Sequence, residues 1–433
     1  PGTVYIATTR YKFNDFRPGL LKSTDYGKSW TAINRGIPDG AYTRVVREDP
    51  VRKDLLVAGT ETGLYLSYNG GTDWERFQSN LPVVPITDLQ IRFGDLILAT
   101  QGRSFWICDD MALLRQVPGR PDGLKLYTPG DAIYPNWYSS MDGPDPNGTH
   151  PFAGVNPPSG MPVYYQLPQT VDSTELRLEI RDASGKLVRA FSSQADDSYK
   201  SYEGAPPRPP VLPSQPGLNR FVWDMRYPPL PGAPEVYIEG SFRGHRAIPG
   251  TYTLELIHGD TRQKATASIL PNPALPTTEA EFSDYHEFME GAEATYREMT
   301  HMTNGMREVR MRLKDLIGHL EEAGKPELAG QGKDLAAEMD QWDSTMVQRL
   351  SKAYDDVENY VNGFTAEYLT ALNHGDSGIP RVNKGTKEKI AALNQRWAQH
   401  RATARRILDS RVPGFNAALQ EAGIGALYLP PMP

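Results

Sequence analysis

Cysteine is nearly missing from this chain: Cys108 is the single one in 433 residues. One thiol excludes a disulfide framework and a thiolate zinc site. In the strand where it falls it reads as a small, buried core side chain rather than a nucleophile. No run of apolar residues is long enough to cross a bilayer. Positive charge is not in excess, with 46 Lys and Arg against 53 Asp and Glu and a formal net charge of -7. That balance argues against nucleic acid as the main partner, and no concentrated Lys/Arg face stands out along the sequence. The GxSxG, HExxH and P-loop patterns are all absent. Turn formers, in contrast, are plentiful, with 39 glycines and 37 prolines. Many turns and long ordered loops follow, in a chain long enough for about three domains.

A repeat organises the first part. Ser23, Asp25, Gly27 and Trp30 have the spacing S-x-[DN]-x-G-x-x-W, and Ser67, Asn69, Gly71 and Trp74 repeat it 44 residues later. The pattern reads as a hairpin corner. The acidic or amide side chain caps the turn, glycine takes the positive-φ position and tryptophan folds back as an apolar plug. Strands precede the corners at 3–8 and 55–60, and a third runs over 96–100. Repeats of this length built from short strands are the signature of β-propeller blades. In the third copy Asp110 stands where Asn69 does and Ala112 falls where the turn glycine should be, so that corner is lost. Residues 1–118 therefore read as about two blades and the start of a third. A propeller closes with 4–8 blades, since an unclosed one leaves raw sheet edges. The chain also starts inside a strand, with no initiator Met or signal peptide. The expectation is the C-terminal part of a longer protein, or one piece of a nicked one.

From 119 to 272 the pattern stays β. Candidate strands lie at 162–168, 174–182, 186–191, 219–224, 250–257 and 263–269. The stretch Glu175 to Arg181 alternates strictly, so one face is buried and the other wet. Six short strands fit an immunoglobulin-like sandwich interrupted by insertions at 134–160 and 192–215. The first insertion, rich in aromatics, is expected to pack against the propeller.

Four motifs occur in order: the corner itself, Ala99 to Gln116 (ATQGRSFWICDDMALLRQ), Gly154 to Leu167 (GVNPPSGMPVYYQL) and Gly217 to Tyr227 (GLNRFVWDMRY). Together they resemble the C-terminal part of the large bacterial BNR/Asp-box repeat proteins, sortilin-like in their propellers and often labelled glycosyl hydrolases. The resemblance covers residues 1–272, and the tail by position more than by motif. It implies a secreted, periplasmic or cell-surface bacterial protein. Sialidases, other glycosidases and sortilin receptors share the Asp-box as a folding element, so it implies no catalysis. This sequence departs from the pattern at Asn69, where the family has Asp.

Residues 273–433 turn helical. Thr278 with Glu281 forms a capping box. Apolar residues then recur at steps of three and four from Phe282 to Leu320, and after a break at 322–326 again from Leu335 to Leu372. Two long helices in an antiparallel hairpin are predicted. A third starts near Thr386, and the segment 414–429 packs back on the bundle. The five methionines of the first helix, beside His286 and His301, sit in its stripe and read as core filler rather than soft-metal ligands.

Glycoside hydrolysis needs two carboxylates flanking the bond. The candidates are Asp109, Asp110 and Asp224, with turn capping or ion pairs to Arg103, Arg115 or Arg226 as the alternative. Adjacent strand residues point to opposite faces, so Asp109 and Asp110 cannot flank one substrate together. Trp137 and Tyr138 are candidates for stacking on sugar rings. Asp142, Asp145 and Asn147 offer oxygen ligands for calcium but lack the distal glutamate of an EF-hand. No other cofactor is indicated. Two readings survive. One is a non-catalytic scaffold or protein-binding portion of a larger assembly, with the remaining blades in cis or on a partner chain. The alternative is the C-terminal portion of an extracellular glycoside hydrolase acting on glycans, its catalytic carboxylates mainly in other blades.

Overall fold

The computed structural model describes residues 2–117, 123–134, 159–168, 173–376 and 380–429. The first of these stretches forms three antiparallel meanders. Strands β1 (Val4–Ala7), β2 (Leu20–Ser23) and β3 (Thr31–Ala32) make the first. A four-stranded sheet of β4 (Thr43–Glu48), β5 (Leu56–Thr60), β6 (Gly63–Ser67) and β7 (Glu75–Phe77) follows in sequence order. The third holds β8 (Ile86–Arg92), β9 (Asp95–Thr100) and β10 (Phe105–Cys108), then the short helix α1 (Ala112–Gln116).

The middle sheet is covered on both faces, and period-two alternation explains how. Leu56, Ala58 and Tyr65 face a core shared with Leu20, Ile33 and Trp74. Leu55, Val57, Leu64 and Leu66 face a second core with Ile86, Leu89, Leu96 and Leu98. Every residue of β5 and β6 is therefore buried, as a strand sandwiched on both sides must be. Asp49, buried after β4, ties α1 to this sheet through Arg115 Nη2 at 3.0 Å. Cys108, expected in the core, is only half buried, because β10 is the edge of its sheet.

Both corners close on themselves. Gly27 N donates to Ser23 Oγ at 2.9 Å and Ser29 N to Asp25 Oδ1 at 2.9 Å. In the second corner Gly71 N donates to Ser67 Oγ and Asp73 N to Asn69 Oδ1, both at 2.9 Å. The amide oxygen of Asn69 thus does the work of the Asp25 carboxylate. Hydrogen bonds from Ser29 and Ser23 hold Asp25 down to about 2. The tryptophans differ. Trp74 is 3% exposed and donates to Ile33 O of the preceding sheet at 2.7 Å. Trp30 is 39% exposed and reaches only Gly27 O of its own turn. A plug needs a neighbouring sheet to enter, and among the described residues Trp30 has none.

The middle of the chain makes two further sheets around one core. Strands β11 (Lys125–Leu126), β12 (Ala132–Ile133), β13 (Met161–Leu167), β14 (Leu176–Arg181), β15 (Leu187–Ser192), β16 (Gly217–Trp223), β17 (Gly250–His258) and β18 (Thr261–Leu270) divide as β11-β13-β16 and β12-β18-β17-β14-β15. The described strands thus outnumber the six expected, and β12 pairs parallel to β18. Val163 and Tyr165 of one sheet meet Leu178, Ile180, Leu254 and Leu256 of the other. Tyr134 is buried not against the first meanders but edge-on to Phe282 of the helical part, ring centroids 5.1 Å apart.

Helix α2 (Glu279–Glu322) opens with both halves of the Thr278/Glu281 capping box. It turns at Gly324 into α3 (Pro326–Met346), and the pairs Lys333–Glu321 and Arg310–Asp340 mark the two as antiparallel. The predicted second helix does not continue to Leu372. It stops at Met346, and after α4 (Asp356–Asn359) the chain resumes as α5 (Phe364–Gly375). The apolar stripe there is misleading, since Leu350 is 62% exposed and Tyr360 36%. The chain instead doubles back over the end of α3, where a Cβ on Gly363 would stand 2.6 Å from Met346 O. Helix α6 (Lys384–Arg406) is capped by Asn383 and runs through a π-turn at Ile407–Arg411 into α7 (Val412–Glu421). Pro413, which lacks an N–H and crowds the preceding carbonyls, accounts for that turn. Among the described residues no helix is long and apolar enough to cross a membrane.

Three substitutions test this packing. Trp74→Ala should cost about 3–5 kcal/mol in denaturant unfolding and Trp30→Ala less than about 1 kcal/mol; equal costs would contradict the asymmetry. Burial pushes the Asp49 carboxyl up, but the Arg115 guanidinium and the Arg52 and Val51 N–H groups outweigh it and leave it below the ordinary carboxylate value. A depressed carboxylate contributes stability above its unfolded pKa of about 4 and loses it as pH falls through the folded value. The stability gap between the parent and Asp49→Asn should therefore narrow from pH 7 to pH 3; a constant gap would count against it.

Candidate functional site

Strand β16 ends at Trp223, fully buried, whose Nε1 donates to Arg226 O at 3.3 Å. The chain then turns through Met225, which takes φ 53° while buried. That left-handed, non-glycine conformation costs energy and persists only where surroundings fix it. Here a two-stranded ribbon does so. Tyr227 N donates to His245 O at 3.0 Å and Ala247 N to Met225 O at 2.8 Å, with Arg226 directly opposite Arg246. Gly244 lets the ribbon close, because a Cβ there would lie 2.5 Å from both Tyr227 O and Pro228 O.

Two arginines face to face across a ribbon repel unless an anion lies between them. Asp376, just past α5, is that anion. Arg226 Nη1 donates to its Oδ2 at 2.7 Å, Arg246 Nη1 to its main-chain oxygen at 3.2 Å, and Tyr285 Oη to its Oδ1. Tyr285 Oη also accepts from Arg246 N at 3.1 Å. Beside it His245 N donates to Glu293 Oε1 at 2.6 Å and its Nε2 meets His286 Nδ1 at 3.0 Å, under the stacked ring of Tyr227. Burial pushes the Tyr285 hydroxyl well above its ordinary pKa, with the Asp376 charge adding to the effect. Burial also pulls His286 down, helped by His245.

In front of this joint lies a cleft of about 560 Å³. Its lining includes Arg189, Arg208, Arg226, Arg243 and Arg246 and one carboxylate, Asp224. Arg189 comes from β15, Arg208 from the proline-rich segment and the others from the ribbon. Arg189 is 6% exposed, and its Nη1 donates to Tyr227 O. Burial lowers its pKa, partly offset by Asp224 through space. No concentrated arginine face is legible along the sequence, and here one stands: five positions scattered over 58 residues converge.

Of the three candidate carboxylates only Asp224 lines the cleft. Asp109 and Asp110 lie beyond the end of β10, so strand alternation does not govern them, and Asp110 takes φ 59°. Asp110 Oδ1 accepts from Ala112 N at 2.9 Å at the start of α1, and its own N–H donates to Asp95 Oδ1 at 2.9 Å. Burial and the Asp95 charge raise both carboxyls, with Arg220 opposing. Trp137, Tyr138, Asp142, Asp145 and Asn147 lie outside the described residues. Among the described residues no group of three or more His, Cys, Asp or Glu could hold a metal ion.

No family model matches the chain. No curated protein matches it. Among solved structures it is similar to the extracellular domain of a putative hybrid two component system from B. thetaiotaomicron, at 12% identity over 60% of this chain and 29% of that one, TM-score 0.19. It is likewise similar to an ancestral GH74 enzyme, at 14% identity over 62% of this chain and 34% of that one, TM-score 0.17. The chain thus spans about a third of the length of the structures it matches, and scores this low do not establish a shared fold.

Tyr285→Phe should destabilise by about 1–2 kcal/mol, since it removes a donor to Asp376 and leaves the Arg246 N–H unpaired. Chemical denaturation reads this; a change under about 0.3 kcal/mol would mean the hydroxyl is not part of the joint.

Proposed function

We propose that this chain is the non-catalytic binding and scaffolding portion of a larger, secreted bacterial Asp-box propeller protein. The three meanders are then its terminal blades, followed by an immunoglobulin-like sandwich and a helical bundle, with the other blades supplied in cis or by a partner. The face-to-face stacking of the meanders and the two self-closed corners support the architecture. The observation that carries the functional reading is that, among the described residues, Asp224 is the one carboxylate lining the cleft. Hydrolysis of a glycosidic bond needs an acid and a second carboxylate about 5–9 Å from it, and Asp224 stands among arginines instead.

The second reading, part of an extracellular glycoside hydrolase, draws on the raised carboxyls of Asp109 and Asp110. A general acid needs a carboxyl whose pKa is raised, and burial acts in that direction on both. Release of reducing ends from a glycan panel, assayed with the purified chain, tests whether this chain itself supplies the acid. The scaffold reading expects no release above the blank. Release abolished by Asp109→Asn or Asp110→Asn would replace it with the hydrolase reading.

A further inference from the structure

We propose that the arginine-lined cleft is a binding site for a small oligoanion. Its ligand carries two or more carboxylate, phosphate or sulfate groups on a compact carbon frame. This goes beyond the scaffold reading and holds whether or not other blades are catalytic.

The charge census is the first ground. Of the five guanidiniums, Arg226 is neutralised by Asp376, and Arg246 leans on the same residue's main-chain oxygen. Arg189 is 94% buried by its 6% exposure. Among the described residues it has no carboxylate at ion-pair distance, its hydrogen bond going to a neutral carbonyl. A buried charge without an ion-pair partner is costly; Asp224 offsets it only through space, and an anion entering the cleft would lower that cost. Arg208 lies 5.8 Å over the Tyr199 ring and Arg243 stands exposed at the rim. Among the described residues neither forms an ion pair. In a chain of net charge -7, this is a local inversion of sign, and a concave wall concentrates its field.

Shape is the second ground. A volume of about 560 Å³ lies in the range of small-molecule sites. Phe191, Val222, Met225 and Pro229 supply apolar wall for the ligand's carbon frame. Guanidinium groups match carboxylate and phosphate oxygens in paired, forked hydrogen bonds. Preorganisation is the third. Arg226, Arg243 and Arg246 stand on a ribbon fixed by main-chain pairing and by the tight approach at Gly244, so little backbone order is left to impose on binding.

Isothermal titration calorimetry of the whole chain at pH 7 tests this with citrate, with pyrophosphate and with glucose as the neutral control. Saturable one-to-one binding of citrate or pyrophosphate is expected, with Kd about 100 μM or tighter at low salt and weaker at high salt. Glucose should give no signal. Tighter citrate would assign the natural ligand to carboxylates, and tighter pyrophosphate to phosphates or sulfates. Arg208→Ala/Arg243→Ala alters exposed side chains only, so it should fold as the parent does and bind at least about tenfold more weakly. No binding of either anion at about ten times that Kd, or parent-like binding by the double variant, would overturn the proposal.

Discussion

One carboxylate sits at the centre of the joint between the middle of the molecule and its helices. Asp376 receives Arg226 from the end of β16 and Tyr285 from α2, while Arg246 from the facing strand of the ribbon reaches its main-chain oxygen. Without an anion there, the two cross-strand arginines would repel, and the buried turn at Met225 would lose its support. The two-sheet core, the first long helix and the back of the cleft therefore meet on one ion-pair network. The segment after β16 extends the same joint along α2. Its prolines have no N–H to donate, but their carbonyls accept from Arg297 at 2.8 and 2.6 Å and from Arg307 at 3.1 Å. The apolar residues Leu230, Val236 and Phe242 of that segment then join the bundle's core.

The N-terminal meanders obey a different constraint. They stack through alternate side chains of β5 and β6, so each sheet buries its face only because another lies beside it. Trp74 and Trp30 measure this directly: the same corner yields a buried indole where a described sheet receives it and a half-open one where, among the described residues, none does. The exposed side chains of Phe105 and Ile107, at 74% and 57%, mark the same condition at the edge strand β10.

How much could be read beforehand follows from how local each interaction is. The corners were legible because Ser, Asp or Asn, and Gly bond within five residues of one another. The capping box at Thr278 was legible for the same reason. The end of α3 was not, since Leu350, Val357 and Tyr360 keep helical spacing while lying outside the core, and the close passage of Gly363 over Met346 leaves no periodic trace. Asp224 was visible as a strand-end carboxylate. Its arginine surroundings were not, because they come from β15, the proline-rich segment and both strands of a ribbon that only the fold brings together. Tyr134 opens the insertion expected to pack on the meanders and finds Phe282 instead, a contact 148 residues away in sequence.

The central claim is that Asp376 and Arg226 act as one unit joining sheet to helix. A double-mutant cycle of Arg226→Met and Asp376→Asn, read by denaturant unfolding, measures it most directly. A coupling energy of about 2 kcal/mol or more is predicted for this partly buried pair. Additivity within about 0.5 kcal/mol would show that the two side chains are neighbours without dependence, and the cleft would then owe its shape to something else.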